Sequence, residues 1–230
     1  MKDRGQVTGA KSPGMEHRGS GTRYHAQQGH VARAANRQEP ASKPGWVRII
    51  GGEWRGRRLP VADLPGLRPS GDRCRETLFN WLQPCIHDAH CADLFAGTGA
   101  LGLEAASRGA AEVTLVESTP PAMQALRGAV ATLGGAAAAR VRLEQTDALL
   151  WLATRAPRSL DIVFIDPPFD SGLDTQALEL LGRRDLVRPG GVVYVESARS
   201  APPPQPGPGW ELAREKVLGE VRMVLLKKWA

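Results

Sequence analysis

The chain has 230 residues, 42% of them apolar, and a formal net charge of +6. That suits one domain of ordinary size, burying on the order of 70% of its unfolded surface, and no apolar run approaches the length of a helical membrane span. The three cysteines, Cys74, Cys85 and Cys91, form no CxxC pair and are odd in number, which argues against a disulfide framework and for a reducing compartment. Residues Met1 to Gly5 lead into no apolar segment, so a cytoplasmic location is expected.

The basic character is N-terminal. Residues 1–45 carry eight Lys or Arg against three acids, residues 46–75 carry seven against three, and the remainder is slightly acidic. A basic extension ahead of a near-neutral, enzyme-sized body is what a polyanion-binding protein shows, and nucleic acid is the commonest polyanion. Residues 1–45, rich in Gly, Gln, Ser, His and Arg and without apolar periodicity, read as a disordered basic tail. From Trp46 the chain offers two β-like runs around Gly51-Gly52 and Gly56, read as a small basic hairpin over 46–70. Arg55, Arg57 and Arg58 flank Trp54, and guanidinium groups beside an aromatic ring suit phosphate contact and stacking on unpaired bases; an edge strand guarded by charge is the bland alternative.

A turn at Arg68-Pro69-Ser70-Gly71 leads into a helix that Asp72 or Ser70 is placed to cap. Cys74, Leu78, Trp81 and Leu82 recur at helical spacing, which makes Cys74 a core residue, and Pro84 ends the helix. The body then alternates strands at 91–96, 113–117, 141–146, 161–166 and 191–196 with helices near 100–108, 120–133, 148–155 and 174–182. Such alternation implies a mainly parallel sheet covered on both faces. Pro120 and Pro121 open the second of these helices and Gly134 closes it. After the proline-rich loop 201–208, runs at 210–218 and 220–228 joined at Gly219 form a terminal hairpin that adds an antiparallel strand. Cys85, His87, His90 and Cys91 match no common zinc spacing, and Cys91 begins a buried strand, so no metal is expected.

Two motifs carry chemistry. Asp93-Leu94-Phe95-Ala96-Gly97-Thr98-Gly99-Ala100-Leu101-Gly102 stands at the first strand-to-helix turn of the body. Its glycines let backbone approach a ligand and present helix N-terminal N–H groups. Glu117, twenty residues after Gly97, is placed to accept from ribose hydroxyls. These features fit a dinucleotide or S-adenosylmethionine. Asp93 favours the second, since a carboxylate there suits an ammonium and repels a pyrophosphate. Asp147, closing the third strand, is placed to accept from an adenine amino group or to cap the next helix, or both.

Asp166-Pro167-Pro168-Phe169 follows the apolar run 162–165, where a buried strand delivers it. The prolines remove two backbone donors and leave the Asp166 carboxylate and the Pro167 carbonyl as acceptors, a setting for an exocyclic amino group on a nucleobase. Phe169 is placed to stack on the base, an interaction worth roughly 1–3 kcal/mol.

Together these motifs resemble the class I S-adenosylmethionine-dependent methyltransferases that modify exocyclic amines. The segment Arg48-Ile49-Ile50-Gly51-Gly52-Glu53-Trp54-Arg55-Gly56-Arg57, with Arg68-Pro69, Asp72-Arg73 and Arg75-Glu76-Thr77-Leu78-Phe79-Asn80-Trp81-Leu82, is similar more narrowly to the RsmD-type guanine-N2 methyltransferases of bacterial small-subunit ribosomal RNA. The likeness runs from about residue 46 to 228, with Ser70-Gly71 where the family often has threonine after Arg-Pro. It implies an α/β, Rossmann-like class I methyltransferase domain over 71–230, with a seven-stranded, mostly parallel sheet whose last strand is antiparallel, and S-adenosyl-L-methionine at the carboxyl ends of its first three strands. The expected cofactor residues are Asp93, Phe95, Gly97, Gly99, Glu117 and Asp147. Asp166, Pro167 and Phe169 are the expected catalytic set, and Arg48, Trp54, Arg55, Arg57, Arg58, Arg68 and Arg73 the expected RNA contacts. A monomer acting on 16S ribosomal RNA, within a small-subunit assembly particle, is the implied arrangement.

Three other functions use part of this evidence. A nicotinamide-dependent oxidoreductase explains the glycines and Glu117 but leaves Asp166-Pro167-Pro168-Phe169 and the basic segment unused. A methyltransferase for adenine N6 in RNA or DNA, or for protein glutamine, keeps the same core; the arginines argue against the protein substrate. An RNA-binding module without catalysis leaves the cofactor carboxylates without a purpose.

Overall fold

The computed structural model describes residues 45–61, 71–169, 171–205 and 207–229. The expected tail 1–45, Gly45 excepted, and residues 62–70 of the expected basic segment, Arg68 and Ser70 among them, lie outside the described residues.

A two-stranded antiparallel ribbon comes first, β1 (Gly45–Arg48) with β2 (Arg58–Val61). The helix α1 (Asp72–Leu82) follows. The body runs β3 (His90–Asp93), α2 (Ala100–Ser107), β4 (Glu112–Val116), α3 (Pro120–Leu133), α4 (Gly135–Arg140), β5 (Val141–Glu144), α5 (Ala148–Ala153), β6 (Leu160–Ile165), α6 (Leu173–Arg183), β7 (Val187–Ala198), β8 (Trp210–Leu218) and β9 (Val221–Lys228). Sheet order is β5-β4-β3-β6-β7-β9-β8. β3 to β7 are mutually parallel, and β9 runs antiparallel to both β7 and β8. The last strand is therefore the reversed one, as the resemblance implies.

The sequence explains this topology. β6 reads Leu160-Asp161-Ile162-Val163-Phe164-Ile165, and residues 162–165 are all buried, the continuous apolar run of a strand covered on both faces. One face of the sheet is packed by α1, α2 and α3 through Leu78, Phe79, Leu103 and Leu126, meeting Phe164 and Tyr194. The other is packed by α5 and α6 through Trp151, Leu152 and Leu181, meeting Val163 and Val195. Ile49, Trp54 and Leu59 of the ribbon segment belong to the first of these clusters. α4, a short helix after Gly134, is an element the periodicity did not predict; its Ala-rich six residues carry too little pattern for a helical stripe.

Chain order 3-4-5 proceeds one way from β3, and β6 lies on its other side. The carboxyl ends of β3 and β6 thus flank a topological switch point, where open α/β sheets bind ligands.

Candidate active site

The glycine motif leaves β3 beside the strand that carries Asp166. Asp93 is registered with Phe164 across the parallel pair, and Leu94 N–H donates to the Phe164 carbonyl at 3.1 Å. Both chemical motifs therefore emerge at the same edge.

Within the loop, Gly97 and Gly99 hold positive φ of 49° and 76°, a conformation side chains disfavour. At Gly99 a Cβ would also stand 2.7 Å from Leu126. Gly102 has a different role. A Cβ there would stand 2.0 Å from Leu115 Cδ2, so this glycine lets α2 lie close on the sheet. Asp93 differs from expectation, since it is 1% exposed and its Oδ2 accepts from Gly102 N–H at 2.9 Å. It fastens the first turn of α2 from beneath the loop and does not present its carboxylate at the surface. Burial pushes its pKa up to about 7, against the opposing pull of the Gly102 N–H; the nearby Asp166 and Glu117 charges add to the rise. Phe95, half-buried, supplies a backbone hydrogen bond to Asp93.

Glu117 directly follows β4, where expected. Its Oε2 accepts from Gly97 N–H at 2.9 Å and its Oε1 from Thr119 N–H at 2.7 Å. A carboxylate accepts about four hydrogen bonds, so this clamp leaves capacity for ribose hydroxyls while fixing the side chain against the loop. Asp147 caps α5, its Oδ1 accepting from Leu149 and Leu150 N–H at 2.9 and 3.0 Å. The side chain is exposed.

Asp166 and Pro167 follow β6 directly, and Phe169 is 47% exposed. A cleft of about 880 Å³ opens from Pro167, Pro168 and Phe169 along α6 to Glu196 and Trp210. Glycine-loop residues do not line it. The Asp166 corner thus stands between the loop on one side and an apolar cleft on the other.

The basic ribbon requires a correction. Trp54, expected among the RNA contacts, is 2% exposed and packs in the core, its backbone N–H donating to Ser107 Oγ at 2.9 Å. The docking of its loop explains this. Glu104, fully buried on α2, takes Ile50 N–H at 2.7 Å and Gly51 N–H at 2.8 Å, and a Cβ on Gly52, at φ 77°, would stand 1.9 Å from the Ser107 carbonyl oxygen. The glycine pair is there so that the loop can lie on α2, and Trp54 is drawn in with it. The exposed tryptophan of the ribbon segment is Trp46, at 56%. Strand alternation would have found it: Val47 and Ile49 face inward, which turns Trp46 and Arg48 outward.

Arg48 and Arg58 are direct cross-strand partners, as Trp46 is with Pro60. Like charges opposite one another destabilise a ribbon; Asp72, 2.8 Å from Arg48 Nη2, offsets part of that. Asp72 is the first residue of α1 and not its cap, which is Gly71. Arg57 donates to the Thr132 and Leu133 carbonyls at the end of α3, at 3.4 and 3.2 Å. Arg55, Arg58 and Arg73 are exposed. Arg75, absent from the expected RNA contacts, is 1% exposed and donates to the Arg48 carbonyl and to Asp72. Among the described residues no three His, Cys, Asp or Glu side chains form a group able to hold a metal, and no helix is long and apolar enough to cross a membrane.

The family described as "Conserved hypothetical protein 95" matches residues 47–227. "Ribosomal RNA small subunit methyltransferase D" of Escherichia coli is 47% identical over 189 residues, covering 82% of this chain and 93% of that protein. The protein of the same name from Haemophilus influenzae is 42% identical, over 80% and 94% of the two chains. This chain belongs to the RsmD family of methyltransferases. Among solved structures, "Putative methyltransferase yhhF from Escherichia coli" superposes with TM-score 0.74 at 45% identity, over 80% of this chain and 99% of that one. An RNA methyltransferase from Salinibacter ruber, solved with S-adenosyl-L-homocysteine, shares the fold alone at 15% identity and TM-score 0.51, over 70% and 94% of the chains.

As a member of the RsmD family the chain is an S-adenosylmethionine-dependent methyltransferase. Its residues fit that cofactor. The loop at Gly97 and Gly99 admits a close ligand, Glu117 is clamped to it, and Asp93, its pKa raised chiefly by burial, also feels the negative charges of Asp166 and Glu117. A cationic ligand relieves that repulsion, whereas a pyrophosphate worsens it.

Proposed function

We propose that this RsmD-family enzyme methylates the exocyclic N2 amine of a guanine in small-subunit (16S) ribosomal RNA, as a cytoplasmic monomer acting on an assembly particle. The observation that carries the reading is the position of Asp166 and Pro167 directly after β6, beside the glycine loop, in a chain 47% identical to a small-subunit RNA methyltransferase.

Glu117 and Asp147 would hold the nucleoside part of S-adenosylmethionine, and the backbone of Gly97 and Gly99 would border its amino-acid part. The cofactor supplies a methyl group already activated on a sulfonium. What remains for the protein is placement and water exclusion. A guanine N2 amine is a weak nucleophile because its lone pair is delocalised into the ring. Asp166 and the Pro167 carbonyl accept its two N–H bonds, pull it toward pyramidal geometry and stabilise the positive charge that develops on nitrogen. The proton then leaves to water. Phe169 stacks on the base. Flipping a paired guanine costs a few kcal/mol, offset by phosphate contacts from Arg48, Arg55, Arg58 and Arg73. Arg48 opposite Arg58, with Trp46 on the same face, supports this ribbon as the RNA surface, since a phosphate relieves the like-charge pairing.

The test is product analysis. The full chain is incubated with radiolabelled S-adenosylmethionine and, separately, unmodified 16S RNA, partly assembled small subunits and DNA, and the label is traced to a nucleoside. N2-methylguanosine from the subunit particle is the expected product. N6-methyladenine, or label in DNA alone, overturns the assignment.

A further inference from the structure

The second carboxylate at this edge of the sheet has no part in the steps above. β6 and β7 are registered through Phe164 with Tyr194 and Ile165 with Val195. One residue further on, Asp166 and Glu196 come to neighbouring positions, separated by about the 4.8 Å between paired strands. They share a face. Phe164 and Tyr194 both lie in the core cluster packed by α1, and strand alternation returns Asp166 and Glu196 to that side. Cys74 of α1 and Tyr194 each feel the charge of both carboxylates.

Glu196 is 5% exposed, its side chain on the α1 side of the sheet with Tyr194; it stands at the end of the cleft that begins at Pro167, Pro168 and Phe169 and runs along α6 on the other side. Its Oε2 accepts from the Tyr194 hydroxyl at 2.7 Å, and Tyr194 is itself buried. Burial first, and then the Glu196 charge, hold that phenol well above its ordinary pKa, so it remains a donor. A buried carboxylate costs free energy to keep. Here it is oriented by a buried donor, beside the residue that receives the amine.

We infer that Glu196, oriented by Tyr194, selects guanine by accepting the N1–H of the base whose N2 amine is held at Asp166. Guanine presents N1–H and N2–H as adjacent donors on one edge, which matches two carboxylates on adjacent strands. Adenine presents its N6 amine next to an N1 lone pair, which a carboxylate repels. The same geometry therefore attracts one purine and rejects the other, in keeping with the general rule that a site built around a hydrogen bond discriminates strongly against the partner that lacks it. Glu196 acts on specificity, and Tyr194 is a positioning residue.

This inference rests on the guanine-N2 reading, and its test keeps the two apart. Once the modified position is mapped with wild-type enzyme, particles are assembled with either guanosine or 2-aminopurine at that position. 2-Aminopurine keeps the 2-amino group and replaces N1–H by a lone pair. Wild-type enzyme should favour guanosine by about 100-fold or more in kcat/KM. Glu196→Gln, which offers an amide N–H to the lone pair while its oxygen stays on the Tyr194 hydroxyl, should shrink that preference by at least about tenfold. Tyr194→Phe, which removes only a hydroxyl, should weaken the preference in the same direction. Wild-type activity on guanosine with equal preferences in all three proteins overturns the role of Glu196 and leaves the reaction assignment standing. No guanosine methylation by wild type overturns the assignment itself. A merely structural role would lower both substrates together and leave their ratio unchanged, which also counts against the inference.

Discussion

Glu104 on α2 and Gly51 in the loop between β1 and β2 are joined by a 2.8 Å hydrogen bond from the Gly51 N–H to Oε1. The neighbouring Ile50 N–H takes Oε2 at 2.7 Å, Arg108 Nε donates to Oε1 at 2.7 Å, and the buried Arg75 guanidinium stands 3.6 Å from Oε2. One carboxylate with no exposed surface thus ties the basic entry segment to the catalytic domain. Removing a partner from such a buried, paired cluster leaves uncompensated charge and costs about 3–5 kcal/mol. Glu104→Ala should lose that much in urea unfolding. A loss under about 1 kcal/mol would show that the docking is held by apolar packing.

The two tryptophans of the ribbon segment should separate cleanly. Trp54→Ala empties a core position and should cost about 3–5 kcal/mol. Trp46→Ala removes an exposed ring and should leave the melting temperature nearly unchanged while weakening RNA binding by about 1–3 kcal/mol, the worth of a stacked base. Calorimetric melting and filter binding on the same two variants check both halves. The reverse assignment would restore Trp54 as the RNA contact.

Arg55 and Arg58 are exposed and proposed to meet phosphates. The double variant Arg55→Ala with Arg58→Ala should bind RNA more weakly across sequences and reduce the slope of log K against log salt by about 2. An unchanged slope would move the phosphate contacts elsewhere.

Asp93 makes a pH prediction of definite sign. Its carboxyl is raised from 3.8 to about 7 in the folded protein, chiefly by burial. Between those values the native state keeps a proton that the unfolded chain has lost. The stability carried by protonated Asp93 is therefore complete below about pH 4 and disappears as pH rises through 7. Asp93→Asn should flatten that part of the stability profile between pH 5 and 8, measured by urea titration. Parallel profiles for the two proteins would mean that Asp93 is ionised in the fold at all these values.

Much of the fold was legible because its signals are local and repeated. Ile162 to Ile165 form a run that only a strand covered on both faces explains, and Pro120-Pro121 with Gly134 mark both ends of α3. The glycine loop was equally plain, since positive φ and close approach at Gly97 and Gly99 restrict the residue type. Asp147 was legible as a cap because capping is decided within three residues. What escaped depends on packing between distant segments. Nothing near Trp54 reveals that a carboxylate 50 residues downstream pulls its loop onto α2, so an arginine-flanked tryptophan read as exposed. Glu196 carries no signal of its own, because its position beside Asp166 follows from strand register, which a single sequence does not state.

The account turns on Asp166 and Pro167 as the grip on the target amine, and Asp166→Ala tests it most directly. Turnover on small-subunit particles and S-adenosylmethionine affinity are measured on the same preparation. The account predicts turnover lower by about 100-fold or more, the scale of losing one acceptor aimed at developing charge, with cofactor affinity nearly intact. Wild-type turnover in that variant would contradict it.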